Sequence, residues 1–161
     1  MKIDFIYVIN LATDSGRIVE NIDRLKFKKS KPFYEFPAVN GWELVQGKVD
    51  SPYQFKQADW WKHDFGPNEP QNNWWNRDLT PGEIGCALSH YQVIEGAYNS
   101  GYENVLILEE DFYLNENFDK FPEFELNHLN DDWSICYLGR SALEKDKEER
   151  VNDYIIRCGY T

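Results

Sequence analysis

Two apolar runs organise the chain. Residues 3–9 read Ile-Asp-Phe-Ile-Tyr-Val-Ile, a β-rich stretch with the character of a central strand. Residues 105–108, Val-Leu-Ile-Leu, run without a polar break into Glu109, Glu110 and Asp111. A short unbroken apolar run bounded by polar residues predicts a strand buried on both faces. Between them Ile18, Ile22 and Leu25 recur at helical spacing after possible caps at Thr13, Asp14 or Ser15. Basic residues from Lys26 to Lys31 suit the solvated end of that helix. Residues 33–36 predict a second strand, and Asn40-Gly41 predicts a turn. The order is β-α-β, the start of a nucleotide-binding type of sheet.

The clearest local signal begins at Thr80-Pro81-Gly82-Glu83, which matches a capping box with proline at the first helical position. Ile84, Leu88, Tyr91, Ile94 and Tyr98 follow at helical spacing, and Gly101 supplies the stop. Residues 133–138 and 151–158 are further strand candidates, and the charge run at 144–150 reads as a solvated loop or helix face. Residues 48–79 show no period and are rich in Pro, Asn, Gln, Asp and Trp. A loop of that length within a compact domain is usually functional or mobile. We expect it to border the ligand cleft as a lid that keeps water out. Its paired tryptophans, Trp60-Trp61 and Trp74-Trp75, can stack on sugar rings or anchor the loop; the general burial of large aromatics favours anchorage.

Composition narrows the function. The chain has 161 residues, a length that fits one domain over 1–161. A net charge of −11 disfavours a nucleic-acid partner, which needs a basic surface. It leaves open a nucleotide held through a metal. No stretch reaches the apolar length of a membrane span, and the first residues lack a signal-peptide layout, so a cytoplasmic location is expected. Cys86, Cys136 and Cys158 are odd in number and set among apolar neighbours, which predicts buried free thiols.

Three acids at a strand end need water, a cation or donors around them. In open α/β sheets the ligand crevice lies at the carboxyl ends of the strands. Carboxylates are hard ligands for Mg2+ or Mn2+, ions that commonly hold substrate phosphates. The plain alternative is an acidic turn after a core strand. If the end of the strand stays extended, Glu109 and Asp111 share a face and Glu110 points away.

Taken together, several segments resemble glycosyltransferase family 25, the family of bacterial lipopolysaccharide galactosyltransferases and collagen hydroxylysine galactosyltransferases. They are Ile9-Asn10-Leu11 with Arg17, the Phe-Pro-Ala-Val-Asn-Gly of residues 36–41, the Leu-Thr-Pro-Gly-Glu-Ile-Gly-Cys-Ala-Leu-Ser-His of residues 79–90, the acidic strand end, and the run at 133–139. The resemblance implies a GT-A-like (Rossmann-like) mixed, mostly parallel sheet flanked by helices. It implies transfer of a hexose, galactose or glucose, from a UDP-sugar to a hydroxyl of a glycan, lipopolysaccharide or protein, with inversion. Glu109 and Asp111 would hold Mn2+ or Mg2+, as an Asp-x-Asp element does. Asn10, Leu11, Arg17, Asn40, Gly41, Ser89, His90 and Glu110 would line the donor site. His90 has a second reading, a hydrogen-bonded helix residue that supports the site. Glu83 is explained by its cap, and no residue is identified as the general base that inversion needs. Glu110 departs from the family's middle Asp. Family members also continue past the region of Gly159-Tyr160-Thr161, so a shortened version is expected. The competing reading is an inactive nucleotide-sugar or carbohydrate-binding module.

Overall fold

The computed structural model describes residues 3–12, 18, 19, 21–23, 25, 32–48, 79–113, 134–138, 149, 150, 156 and 157. The chain divides into two compact units, Asp4–Phe112 and a second made of Met1–Ile3 with Tyr113–Thr161.

In the first unit β1 (Phe5–Asn10) is the middle strand of a three-stranded sheet. β2 (Phe33–Pro37) and β3 (Val105–Glu109) flank it, both parallel to it. Parallel neighbours cannot be joined by a hairpin and need crossovers. The first crossover includes helical residues at 18, 19, 21–23 and 25. The second includes α1 (Gly41–Val45) and α2 (Pro81–Asn99). The expected parallel α/β sheet, with β1 beside β3, is what the chain forms.

Strand alternation divides β1 between two faces. Tyr7 and Ile9 pack with Val93 and Ala97 of α2, inside a surround that includes Phe5, Phe36, Tyr102 and Ile107. Ile6 and Val8, on the other face, are also buried, as are Ile18, Ile22 and Leu25 of the first crossover. Each such side chain contributes about 1.5–3 kcal/mol when removed from water. Asp4 fixes the register: its Oδ2 accepts from the backbone N–H of Glu103 and of Asn104, each at 3.0 Å. Its own N–H donates to the Asn104 carbonyl at 2.8 Å. Phe5 then stacks on Tyr102, ring centroids 5.1 Å apart.

α2 begins as its sequence predicts. The Thr80 hydroxyl accepts from Glu83 N–H at 3.3 Å, and Glu83 Oε2 accepts from Thr80 N–H at 2.7 Å. It ends on Gly101 at φ +72°, with Tyr102 N–H donating to the Ala97 carbonyl and Gly101 N–H to that of Tyr98. That pair of bonds is a Schellman closure.

Four expectations need correction. Asn40-Gly41 is a helix start rather than a turn: Asn40 Oδ1 accepts from the N–H of Trp42 and of Glu43. α1 runs for five residues and closes at Gly47 (φ +66°), with Lys48 N–H donating to the Glu43 carbonyl. Of the apolar run in β3, Leu106 is buried and Val105, Ile107 and Leu108 are only half-buried, since among the described strands β3 has a neighbour on one edge alone. Residues 134–138 are irregular and exposed instead of forming a strand. In the second unit, β4 (Glu149–Arg150) pairs antiparallel with β5 (Ile156–Arg157), so the charge run ends in a strand; of the strand expected over 151–158, residues 156 and 157 are strand and the others lie outside the described residues. The lid expected over residues 48–79 falls almost entirely outside the described residues, as does Arg17.

Candidate active site at the carboxyl edge of the sheet

Because the three strands are parallel, their carboxyl ends share one edge. Asn10 closes β1 there, with its carbonyl accepting from Ala38 N–H at 2.8 Å just past β2. The Asn10 side chain is buried. Its amide donates to Glu35 Oε1 at 2.7 Å, while its Oδ1 accepts no hydrogen bond from any described residue. Leu11 follows, half-buried. At the end of β3, Glu109 lies opposite Ile9 in register and is exposed. The strand stops there. Glu110 and Asp111 sit in a turn, closed by Phe112 N–H donating to the Glu109 carbonyl at 3.0 Å. Glu110 is half-buried and its backbone carbonyl accepts from Asn21 Nδ2 at 3.0 Å, while Asp111 is exposed.

The segment at 79–90 earns its residues by packing α2 against this edge. α2 crosses the start of α1 backbone to backbone. A Cβ on Gly41 would overlap the Pro81 carbonyl, and one on Gly85 would lie 2.5 Å from the Val39 carbonyl oxygen. Real Cβ contacts are never that close, so both positions require glycine. One turn on, the fully buried Ser89 donates to the Gly85 carbonyl at 2.7 Å and accepts from Val39 N–H at 2.8 Å. Asn40, Gly41 and Ser89 thus hold the loop after β2 against α2; of these side chains, Ser89 is closed to solvent.

Residues 86 and 90 each follow one of these anchors and are four apart, so they share a helix face. That face meets the end of β3. His90 Nε2 lies 3.2 Å from Glu109 Oε1. Cys86 completes a trio whose ligand atoms all lie within 4.8 Å of one another. The Cys86 thiol has its pKa raised, first by partial burial and then by the negative charges of Glu109 and Glu110. Cys86 and Cys136 are exposed, contrary to the expectation of buried thiols; Cys158 falls outside the described residues. Cys86 is the residue that sequence reasoning missed. Its signal was the i, i+4 pairing with His90 on a helix that leads to an acidic strand end.

The sheet and its helices define an α/β protein of the Rossmann-like kind, with an acidic carboxyl edge where β1 and β3 end. The sequence pattern of "Glycosyltransferase family 25 (LPS biosynthesis protein)" matches residues 3–156, and the chain belongs to that family. It is 30% identical over 173 residues to a "Glycosyltransferase 25 family member" of Aedes aegypti, which covers 100% of this chain and 25% of the relative. The corresponding figures for a protein of the same description in Anopheles gambiae are 28% over 169 residues, 100% and 26%. A human protein described as "Inactive glycosyltransferase 25 family member 3" is 33% identical over 89 residues, 50% of this chain and 14% of its own length. The chain therefore spans about a quarter of the length of the two insect relatives. No solved structure matches it.

Proposed function

We propose that the chain carries the donor side of a metal-dependent glycosyltransferase, which moves a hexose, galactose or glucose, from a UDP-sugar to an acceptor hydroxyl with inversion. The observation that carries this reading is the run of three acids at the carboxyl edge of a parallel sheet, next to the buried Asn10. The donor set suits a hard cation. Glu109 and Asp111 are both exposed, so an ion could reach them from solvent. Glu109 and Asp111 would hold Mn2+ or Mg2+. Bound there, the cation would act as a Lewis acid on the diphosphate as the UDP leaving group gains charge. The protein's own part is positional. Ser89 and the two glycines fix the loop after β2, Asn10 ends the central strand beside it, and His90 orients the Glu109 carboxylate. Leu11, Arg17 and Glu110 are proposed as donor contacts around that frame, and the acceptor is a glycan, lipid-linked or protein hydroxyl.

The test is calorimetry of UDP binding with and without Mn2+, beside an assay of UDP release from UDP-galactose and UDP-glucose. Asp111→Asn should weaken Mn2+-dependent UDP binding at least tenfold, about 1.4 kcal/mol. Unchanged binding by a folded variant would remove Asp111 from the site. UDP binding by the parent chain with no UDP release would instead favour a binding module, the reading that the name of the human relative also raises.

A further inference from the structure

We propose that Cys86, His90 and Glu109 form a three-ligand site for a thiophilic divalent cation of the zinc class. The inference shares Glu109 with the proposed donor site but needs neither Asp111 nor a nucleotide. A thiolate and an imidazole are poor partners for Mg2+ or Mn2+ and good ones for zinc or cobalt. Tetrahedral zinc binds histidine nitrogen and carboxylate oxygen at about 2.0–2.2 Å, which sets those two atoms about 3.4 Å apart. His90 Nε2 and Glu109 Oε1 are 3.2 Å apart. The thiolate sulfur would sit about 3.6 Å from each on the same geometry. With all three ligand atoms already inside 4.8 Å, closing the trio takes a side-chain movement of about 1 Å.

The frame around the trio is rigid, as a metal site needs. Cys86 follows Gly85, which touches the Val39 and Gly41 backbone. His90 follows Ser89, which is fully buried and bonded at both ends. Glu109 is held in register beside Ile9 of the central strand. Cys86 and Glu109 are exposed and His90 is half-exposed, so an ion can enter from solvent. On binding, the thiol gives its proton to solvent and the sulfur takes the cation. Three protein ligands leave the fourth position open to water or an added ligand.

Co2+ is the probe, added to the full metal-free chain. The expected result is one equivalent bound, with a thiolate-to-cobalt charge-transfer band and the strong visible absorption of tetrahedral cobalt, both lost on adding Zn2+. Cys86→Ser should abolish the charge-transfer band. His90→Gln and Glu109→Gln should weaken binding at least tenfold, and Asp111→Asn should leave the spectrum unchanged. Circular dichroism checks that each variant is folded, and Cys86→Ala serves as a second thiol-free variant. Absence of the band in the parent chain overturns the proposal. So does a band that survives in both Cys86 variants, or one lost equally in Asp111→Asn. Mn2+-dependent UDP binding by Cys86→Ser, measured in parallel, separates failure here from failure of the donor-site reading.

Discussion

Gly85 and Gly96 lie on the same helix and carry opposite expectations. A methyl at Gly85 meets the Val39 carbonyl and the Gly41 N–H, both backbone groups that cannot swing aside. Gly85→Ala should cost about 1–3 kcal/mol or more by overpacking. At Gly96 nothing among the described residues lies within 4 Å of the added methyl, so Gly96→Ala should gain about 0.5–1 kcal/mol from helix propensity. Urea denaturation of the two variants checks both signs. Cys86 gives a second test at this scale. Its raised pKa keeps the exposed thiol protonated at neutral pH, so iodoacetamide should react slowly there and faster as pH rises. Glu109→Gln removes a negative neighbour, lowers that pKa and should speed alkylation at a fixed pH. The linkage sign follows. A thiol whose pKa is higher folded than unfolded stabilises the fold fully below the unfolded value, about 8.5. That contribution is lost as pH rises from there through the folded value. The residue types foretold little of this, because free cysteines are usually buried and only the fold sets Cys86 beside two carboxylates.

Among the elements, α2 was legible in its bounds but not in its buried face. Its capping box and terminal glycine are used as read, whereas of the spaced apolar residues Leu88 is buried and Tyr91, Ile94 and Tyr98 are exposed, with Val93 and Ala97 on the core side instead. Thr80→Ala should cost about 1 kcal/mol through the lost cap. Gly101→Ala should cost about 1–2 kcal/mol, since position 101 sits at φ +72°. The two sites lie about 31 Å apart along the axis, so the double variant should lose the sum in thermal or urea denaturation. α1 was not legible. Five residues are too few to show a period, and Asn followed by Gly serves a turn and a helix start for the same reason, a side-chain oxygen that bonds nearby N–H groups. The apolar residues at 134–138 misled in another way. Local pattern favours a strand, yet pairing depends on partners that the segment itself does not name.

At the scale of the whole molecule, the parallel pairing of β1 with β3 could be read from two apolar runs and the helices between them. The acids at the strand end could be placed at the carboxyl edge of that sheet from their position after the second run. The trio of Cys86, His90 and Glu109 could not, because it depends on how α2 is seated across the edge, and that seating is set by the contact of Gly41 with Gly85.

The central strand also has a clock. Phe5 pairs with Val105, made 100 positions later (105 − 5), and Ile6 pairs with Phe33 and with Leu106. At a synthesis rate of about 5–20 residues per second, β1 waits roughly 5–20 s for its second neighbour. During that interval Phe-Ile-Tyr-Val-Ile has one edge without its native partner, the state most open to pairing with another chain. Nascent chains stalled at residue 104 should therefore be recovered mainly in aggregates or on chaperones, and chains stalled well beyond β3 should not. A pulldown of the two stalled species measures the difference. The site at the far end of the sheet is thus the last part of the first unit to be made, and until it is made the middle of the sheet stays incomplete.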